Sequence, residues 1–241
     1  MLRLKVLFFA SLRDRIGQRD LIVELPDGAY MTDLKEHLAQ VFPELAQPLA
    51  HAVAAYNNEF VIDDTALADG GEAAFFPPVS GGQDGLDVDG GFPTHCAIVE
   101  GALDLNKVLE SISLPSTGAA CIFAGMVRAF TQGEKAHTTD YLEYEAYHPM
   151  AEAKLRQIAN EIRQRWPSVE GIALIQRTGK LHPGTPTVVA ACSAAHRDTG
   201  VFEAAHYAID RLKEIVPVWK KEVSSSSESW VEGSYTPERG D

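Results

Sequence analysis

Apolar residues recur at every second position at the start of the chain, where Leu2, Leu4, Val6 and Phe8 alternate with Arg3, Lys5 and Leu7. Period two predicts a strand with one buried face. Further extended runs are predicted over 19–25, 53–56 and 73–79. Leu34, Leu38 and Val41 repeat at helical spacing, with Thr32 as the candidate cap and Pro43 as the stop. Pro26-Asp27-Gly28 and Asn57-Asn58 supply turns. The first 80 or so residues thus read strand, strand, helix, then strands.

A second patterned region follows. Residues 119–128 and 140–147 are strand-like. Pro149 opens a helix with Leu155, Ile158, Ala159, Ile162 and Trp166 on one stripe. Runs 171–175 and 187–193 are rich in small and β-branched residues and read as strands. Phe202, Ala205, Ile209, Leu212 and Val216 mark another helix, stopped by Pro217. This is an α+β pattern. Between the two regions, residues 80–93 are dominated by Gly and Asp and carry no apolar period. That composition predicts a flexible acidic linker. The expected organisation is a domain over 1–82, a linker over 83–93 and a domain over 94–241.

Charge narrows the possible partners. The net charge is −13, with 6 basic and 12 acidic residues in 1–82 and 15 and 19 in 94–241. Neither region is basic, which argues against nucleic acid or an anionic membrane as partner. No apolar run approaches the roughly 18 residues of a membrane span. The apolar start is broken by Lys5 and followed by Arg13-Asp14-Arg15, so it reads as a first strand rather than a signal peptide. Cys96, Cys121 and Cys192 form no close pair in sequence and no metal-ligand spacing. Cys121 and Cys192 sit in small apolar runs and read as buried fillers. A reducing cytoplasm is the expected location.

Four features can carry chemistry. Gly81-Gly82 follows a predicted strand and the rigid-looking Phe75-Phe76-Pro77-Pro78-Val79. It is either part of the linker or a tail thin enough to thread a narrow channel and present a carboxylate. Lys213 and Lys220 flank Pro217 and Trp219. They are either solvated lysines near a helix end, where the dipole favours them, or two ammoniums lining a partly dry anion site. His196-Arg197 follows one strand and Arg128 ends another. Such cations are surface ion-pair partners or a fork for phosphate.

Taken together, Gly125 to Arg128, Ala195 to Arg197, Leu212-Lys213 and Pro217 to Glu222 resemble the large subunit of molybdopterin synthases, over nearly all of 95–232. The first 82 residues, ending in Gly81-Gly82, resemble the small sulfur-carrier subunit of the same enzymes. The resemblance implies a ubiquitin-like β-grasp domain fused to an α+β, hammerhead-like catalytic domain. It implies a sulfurtransferase acting on precursor Z, the cyclic pyranopterin monophosphate, to build the dithiolene of molybdopterin. Sulfur would arrive as a thiocarboxylate on Gly82, with Gly81 beside it. That fits a chain with no cysteine placed as a persulfide carrier. Lys213 and Lys220 match the catalytic lysines, Lys220 at the thiocarboxylate and Lys213 in acid–base or charge stabilisation. Met126, Val127, Arg128, His196, Arg197, Lys221 and Glu222 match substrate contacts. A homodimer through the second domain, an ATP-dependent adenylyltransferase acting on Gly82, no permanently bound cofactor and no metal for this step are further implications.

The sequence departs from that pattern at one point. Gln83 follows Gly82, so Gly82 has no free carboxylate in the intact chain. Either a protease cuts after Gly82, or the β-grasp domain is a scaffold or binding module without a carrier role. A sulfur carrier of thiamine synthesis with an unrelated appendage would also end in Gly-Gly, but it leaves Pro-Val-Trp-Lys-Lys-Glu unexplained.

Overall fold

The computed structural model describes residues 1–77, 91–131, 137–225 and 227–231. They fall into two compact units, one within 1–83 and one within 84–231.

The first unit runs β1 (Leu2–Phe8), α1 (Ala10–Ile16), β2 (Asp20–Leu25), α2 (Met31–Val41), α3 (Ala46–Ala50), β3 (Val53–Tyr56), β4 (Glu59–Val61) and β5 (Glu72–Phe76), with a 3-10 turn over Pro43–Leu45. The strands order as β2-β1-β5-β3-β4. Strand β1 pairs antiparallel with β2 and parallel with β5, which makes it an inner strand. The alternation read from the sequence is the cause: Leu2, Leu4, Val6 and Phe8 point to one face and pack with Leu34 and Leu38 of α2. This is a β-grasp. Some details differ from expectation. Helix α2 is capped at Tyr30, not Thr32: the Asp33 carboxylate reaches back to accept from the Tyr30 N–H at 2.7 Å. Thr32 instead donates to the Asp63 carbonyl at 2.9 Å. Helix α1 had no periodic signal, because seven residues give too few repeats. The last strand runs Glu72–Phe76, and Pro78 and Val79 of the expected strand lie outside the described residues. Gly81, Gly82 and linker residues 83–90 lie outside the described residues.

The second unit runs β6 (Thr94–Val99), α4 (Leu105–Ile112), β7 (Ala119–Met126), β8 (Phe130–Thr131), β9 (His137–Thr138), β10 (Tyr141–Ala146), α5 (His148–Arg165), β11 (Val169–Arg177), β12 (Gly179–Leu181), β13 (Pro186–Ala194), α6 (Val201–Ile215), β14 (Val218–Val223) and β15 (Glu228–Val231). One sheet orders as β6-β11-β13-β7 and a second as β12-β10-β14-β15. Helices α5 and α6 cover one face of the first sheet, burying Ile172, Leu174, Val188, Ala190 and Cys192. Helix α4 covers the other face through Val108 and Ile112. The buried stripe of α6 is Val201, Ala204, Ala205, Ala208, Ile209, Leu212 and Ile215. Phe202, expected on that stripe, is 57% exposed. Phe92 and Pro93, at the end of the expected linker, are tied to this unit. The Arg163 guanidinium lies 5.4 Å from the Phe92 ring centroid, and the Pro93 carbonyl accepts from the Ile172 N–H at 3.0 Å.

Cys121 and Cys192, distant in sequence, are direct partners across the β7–β13 ladder. Cys192 is buried as expected, while Cys121 is only half-buried, and all three thiols are free. No helix among the described residues is long and apolar enough to cross a membrane.

Candidate functional site

The site is built where β7 ends, α6 ends and β14 begins. Strand β7 does not stop cleanly at Met126. The Val127 N–H donates to the Thr185 carbonyl at 3.1 Å, and the Val127 carbonyl accepts from the Gly184 N–H at 2.9 Å. These bonds pin Val127, which is buried, so that alternation turns Met126 and Arg128 outward, both exposed. Gly125 sits just before them. A Cβ there would meet Val188 Cγ1 at 2.7 Å, so the close β7–β13 approach needs glycine. The Thr187 hydroxyl donates to the Gly125 carbonyl at 3.2 Å.

Helix α6 brings Lys213 over this strand end. The Lys213 ammonium lies 5.6 Å from the centroid of the Phe123 ring on β7. The helix ends two residues later, because Pro217 has no N–H to continue it. The Tyr147 N–H takes up the Pro217 carbonyl at 3.1 Å, and the chain turns into β14. Pro217 is thus the corner between the helix of Lys213 and the strand of Lys220.

On β14, Lys220 stands directly across from Tyr144 on β10. Burial, then the Lys213 and Arg128 charges, hold the Lys220 ammonium below the ordinary lysine range, against the opposing pull of Glu222. Lys220 is therefore within electrostatic reach of both Lys213 and Arg128. Burial also pushes the Tyr144 phenol up, partly offset by the Thr187 hydroxyl.

Alternation along β14 places Glu222 on the face of Lys220 and Lys221 on the other. Lys221 pairs with Glu228 at 2.6 Å and lies 5.6 Å from the Trp230 ring centroid. It is not gathered with the other cations. Burial pushes the Glu222 carboxyl up, but hydrogen bonds from Thr139 and His137 and the His137 and Lys220 charges outweigh it, so the group is held below its ordinary value.

His196 and Arg197 are placed elsewhere. Ala194 at the end of β13 pairs with Ala119, whereas Met126 pairs with Pro186 at the opposite end of the ladder. At about 3.3 Å per residue, the two ends of β7 are roughly 23 Å apart. His196 and Arg197 are exposed and line a separate open pocket of about 430 Å³ with Gly118, Ala195 and Asp198. Within one chain the predicted residues thus form two groups: Met126, Val127, Arg128, Lys213, Lys220 and Glu222 in one, His196 and Arg197 in the other. Phe123, Tyr144, Thr139 and His137 join the first group without having been singled out in the sequence. Strand register brings Tyr144 there, packing of α6 on β7 brings Phe123, and β9 with its link to β10 brings His137 and Thr139; apolar spacing encodes none of these.

The family model described as MoaE protein matches residues 98–215, and the model of the ThiS family matches 6–82. The chain is 44% identical over 135 residues to a molybdopterin synthase catalytic subunit from Halalkalibacterium halodurans, covering 56% of this chain and 83% of that protein. A Staphylococcus carnosus protein of the same description is 44% identical over 117 residues, covering 48% and 75%. The crystal structure of molybdopterin synthase from Staphylococcus aureus superposes with a TM-score of 0.53 at 39% identity, covering 57% of this chain and 97% of that one. Fold and matches together define a ThiS-type β-grasp domain followed by a MoaE domain in one polypeptide. The chain belongs to the molybdopterin synthase family. The MoaE match stops at Ile215, so the placing of Lys220 and Glu222 rests on the β14 geometry.

Proposed function

We propose that this chain carries out the sulfur-transfer step of molybdenum cofactor biosynthesis. Sulfur moves from a thiocarboxylate on Gly82 to precursor Z, twice, to give the dithiolene of molybdopterin. In each transfer the thiocarboxylate sulfur bonds to a substrate carbon in place of an oxygen substituent, which leaves with a proton. Water then adds to the Gly82 carbonyl carbon, breaks its bond to that sulfur and restores the Gly82 carboxylate. An adenylyltransferase using ATP reactivates that carboxylate, and the sulfur comes from a donor outside this chain.

The observation that carries the reading is the meeting of Lys213, Lys220 and Arg128 in a protein whose net charge is −13. A cation cluster against the overall field suits an anionic substrate and an anionic sulfur donor. Lys220, partly buried and easier to deprotonate than an ordinary lysine, suits contact with the thiocarboxylate and proton exchange. Lys213 stabilises charge during sulfur attack and ring opening. Arg128, with Met126 and Val127, binds the substrate. No permanently bound cofactor and no metal takes part, and the reaction belongs in the cytoplasm.

His196 and Arg197 enter this reading through a homodimer of the second domain. Their distance from Lys220 within one chain supports a site shared between copies, with the substrate phosphate bound by the partner protomer. A protease acting after Gly82 frees the carrier tail. Because Gln83 follows Gly82, the alternative is an uncut β-grasp scaffold without a carrier role. Intact mass measurement on the protein from its native cells separates the two. A species ending at Gly82, with the mass shift of oxygen replaced by sulfur, is expected; the uncut chain alone in cells making molybdopterin would overturn the carrier role.

A further inference from the structure

The Glu222 carboxylate is held by two side chains from outside its own strand. The Thr139 hydroxyl donates to Oε1, and His137 Nε2 lies 3.0 Å from the same oxygen. Neither residue belongs to β14 or its ladder partners. His137 is on β9, and Thr139 follows it, buried, in the link to β10, where its own N–H is fixed by the Ala129 carbonyl at 2.9 Å. Two side chains from one short segment therefore fix one carboxylate oxygen from outside the strand.

Glu222 shares its face of β14 with Lys220. Among the described residues, the charged and titratable groups around this pair are His137 on β9, Tyr144 on β10, Lys213 on α6 and Arg128 after β7. Glu222 supplies the negative charge among them. Ladder neighbours Leu142 and Ser229 are neutral. A glutamate free to rotate spends much of its time in water, where its charge is screened. Fixed by two donors, it stays beside the lysine.

We propose that His137 and Thr139 are positioning residues that hold the Glu222 carboxylate as the counter-charge of Lys220, and so govern how readily Lys220 gives up its proton. The proposal rests on the reading of Lys220 as a catalytic group. His137 contributes an N–H whether neutral or protonated, and Thr139 contributes a hydroxyl. Losing both donors frees Glu222 and leaves Lys220 facing Lys213 and Arg128 alone. Lys220 then deprotonates at lower pH.

The test uses the full chain with its lysines labelled by reductive 13C-methylation. The Lys220 resonance is assigned by its loss in Lys220→Arg, and its titration is followed by NMR. In the folded His137→Ala/Thr139→Val variant the Lys220 midpoint moves to lower pH. His137→Gln and Thr139→Ser, which keep a donor, restore most of it. Turnover of the double variant falls on the order of tenfold or more through kcat, with KM little changed, as expected when a reacting group loses its placement. An unchanged Lys220 midpoint in a folded variant overturns the proposal, whatever the activity. If the double variant fails to fold, His137→Ala and His137→Gln alone decide by the same midpoint. Full activity in Lys220→Ala would overturn the catalytic reading instead, and the NMR midpoint would still report on the clamp.

Discussion

The Lys213 ammonium sits over the Phe123 ring, 5.6 Å from its centroid, and so binds the end of α6 to the edge strand β7 by a charge on an aromatic face. Phe123 remains 37% exposed, so the ring is not sealed off. Lys213→Ala and Lys220→Ala are expected to keep the fold, since neither side chain belongs to the buried cores. Each should lower molybdopterin formation by on the order of a hundredfold or more, the usual cost of losing a placed charge at a reacting centre. The assay supplies thiocarboxylated carrier and precursor Z and measures product. Wild-type rates in both variants would remove the lysines from the reaction.

Arg197 is exposed, with no structural duty in the core. Arg197→Ala should weaken precursor Z binding by about 1.5–3 kcal/mol, the range for a hydrogen bond to a charged group. Calorimetry on the folded variant measures it, and equal affinity would release Arg197 from the substrate site.

Processing after Gly82 makes a prediction in cells. Gly82→Pro, in cells relying on this chain alone, should abolish molybdopterin, because adenylation and sulfur loading need a free glycine carboxylate. Continued molybdopterin synthesis would exclude both cutting after Gly82 and its role as carrier.

The buried Cys192 thiol and the half-buried Cys96 thiol predict an alkaline weakness. Burial pushes Cys96 and Cys192 up to about 12 from 9.0. Below pH 9 the thiols are protonated in both folded and unfolded chains, so their contribution is whole. Between 9 and about 12 the unfolded chain alone releases the protons, and stability falls by roughly 1.4 kcal/mol per pH unit for each thiol. Urea midpoints from pH 8 to pH 10.5 should therefore drop more steeply in the wild type than in Cys96→Ala/Cys192→Ala. Parallel slopes would show that the thiols ionise freely in the fold.

Gly171 meets a tight neighbour at the β11 bulge. A Cβ there would lie 2.1 Å from the Ile112 carbonyl oxygen and 2.6 Å from Ser193 Oγ, which itself donates to that carbonyl at 2.5 Å. Gly171→Ala should cost about 1–3 kcal/mol, the range for overpacking a filled interior. A urea midpoint within error of the wild type would show that α4 yields.

Much of this architecture is legible in residue order. Leu2, Leu4, Val6 and Phe8 identify a strand with one buried face, and Pro217 correctly separates the helix of Lys213 from the segment of Lys220. Short elements escape, as α1 does, because a seven-residue helix shows too little periodicity. Register escapes as well. Nothing near Cys121 announces Cys192, and nothing near Lys220 announces Tyr144, because ladder partners are chosen by the whole sheet. The motifs lead to Lys213, Lys220 and Arg128. They give no warning that His196 and Arg197 stand at the other end of a strand.

That distance across β7 bears on genetics as well as geometry. If each reaction centre takes its lysines from one copy and its phosphate grip from the other, two crippled chains can repair one another. A Lys220→Ala chain retains Arg197, and an Arg197→Ala chain retains Lys220. A mixed pair would hold one centre with both defects and one with neither. Two alleles that each fail alone would then restore molybdopterin synthesis when expressed together, at a level set by how often unlike copies meet.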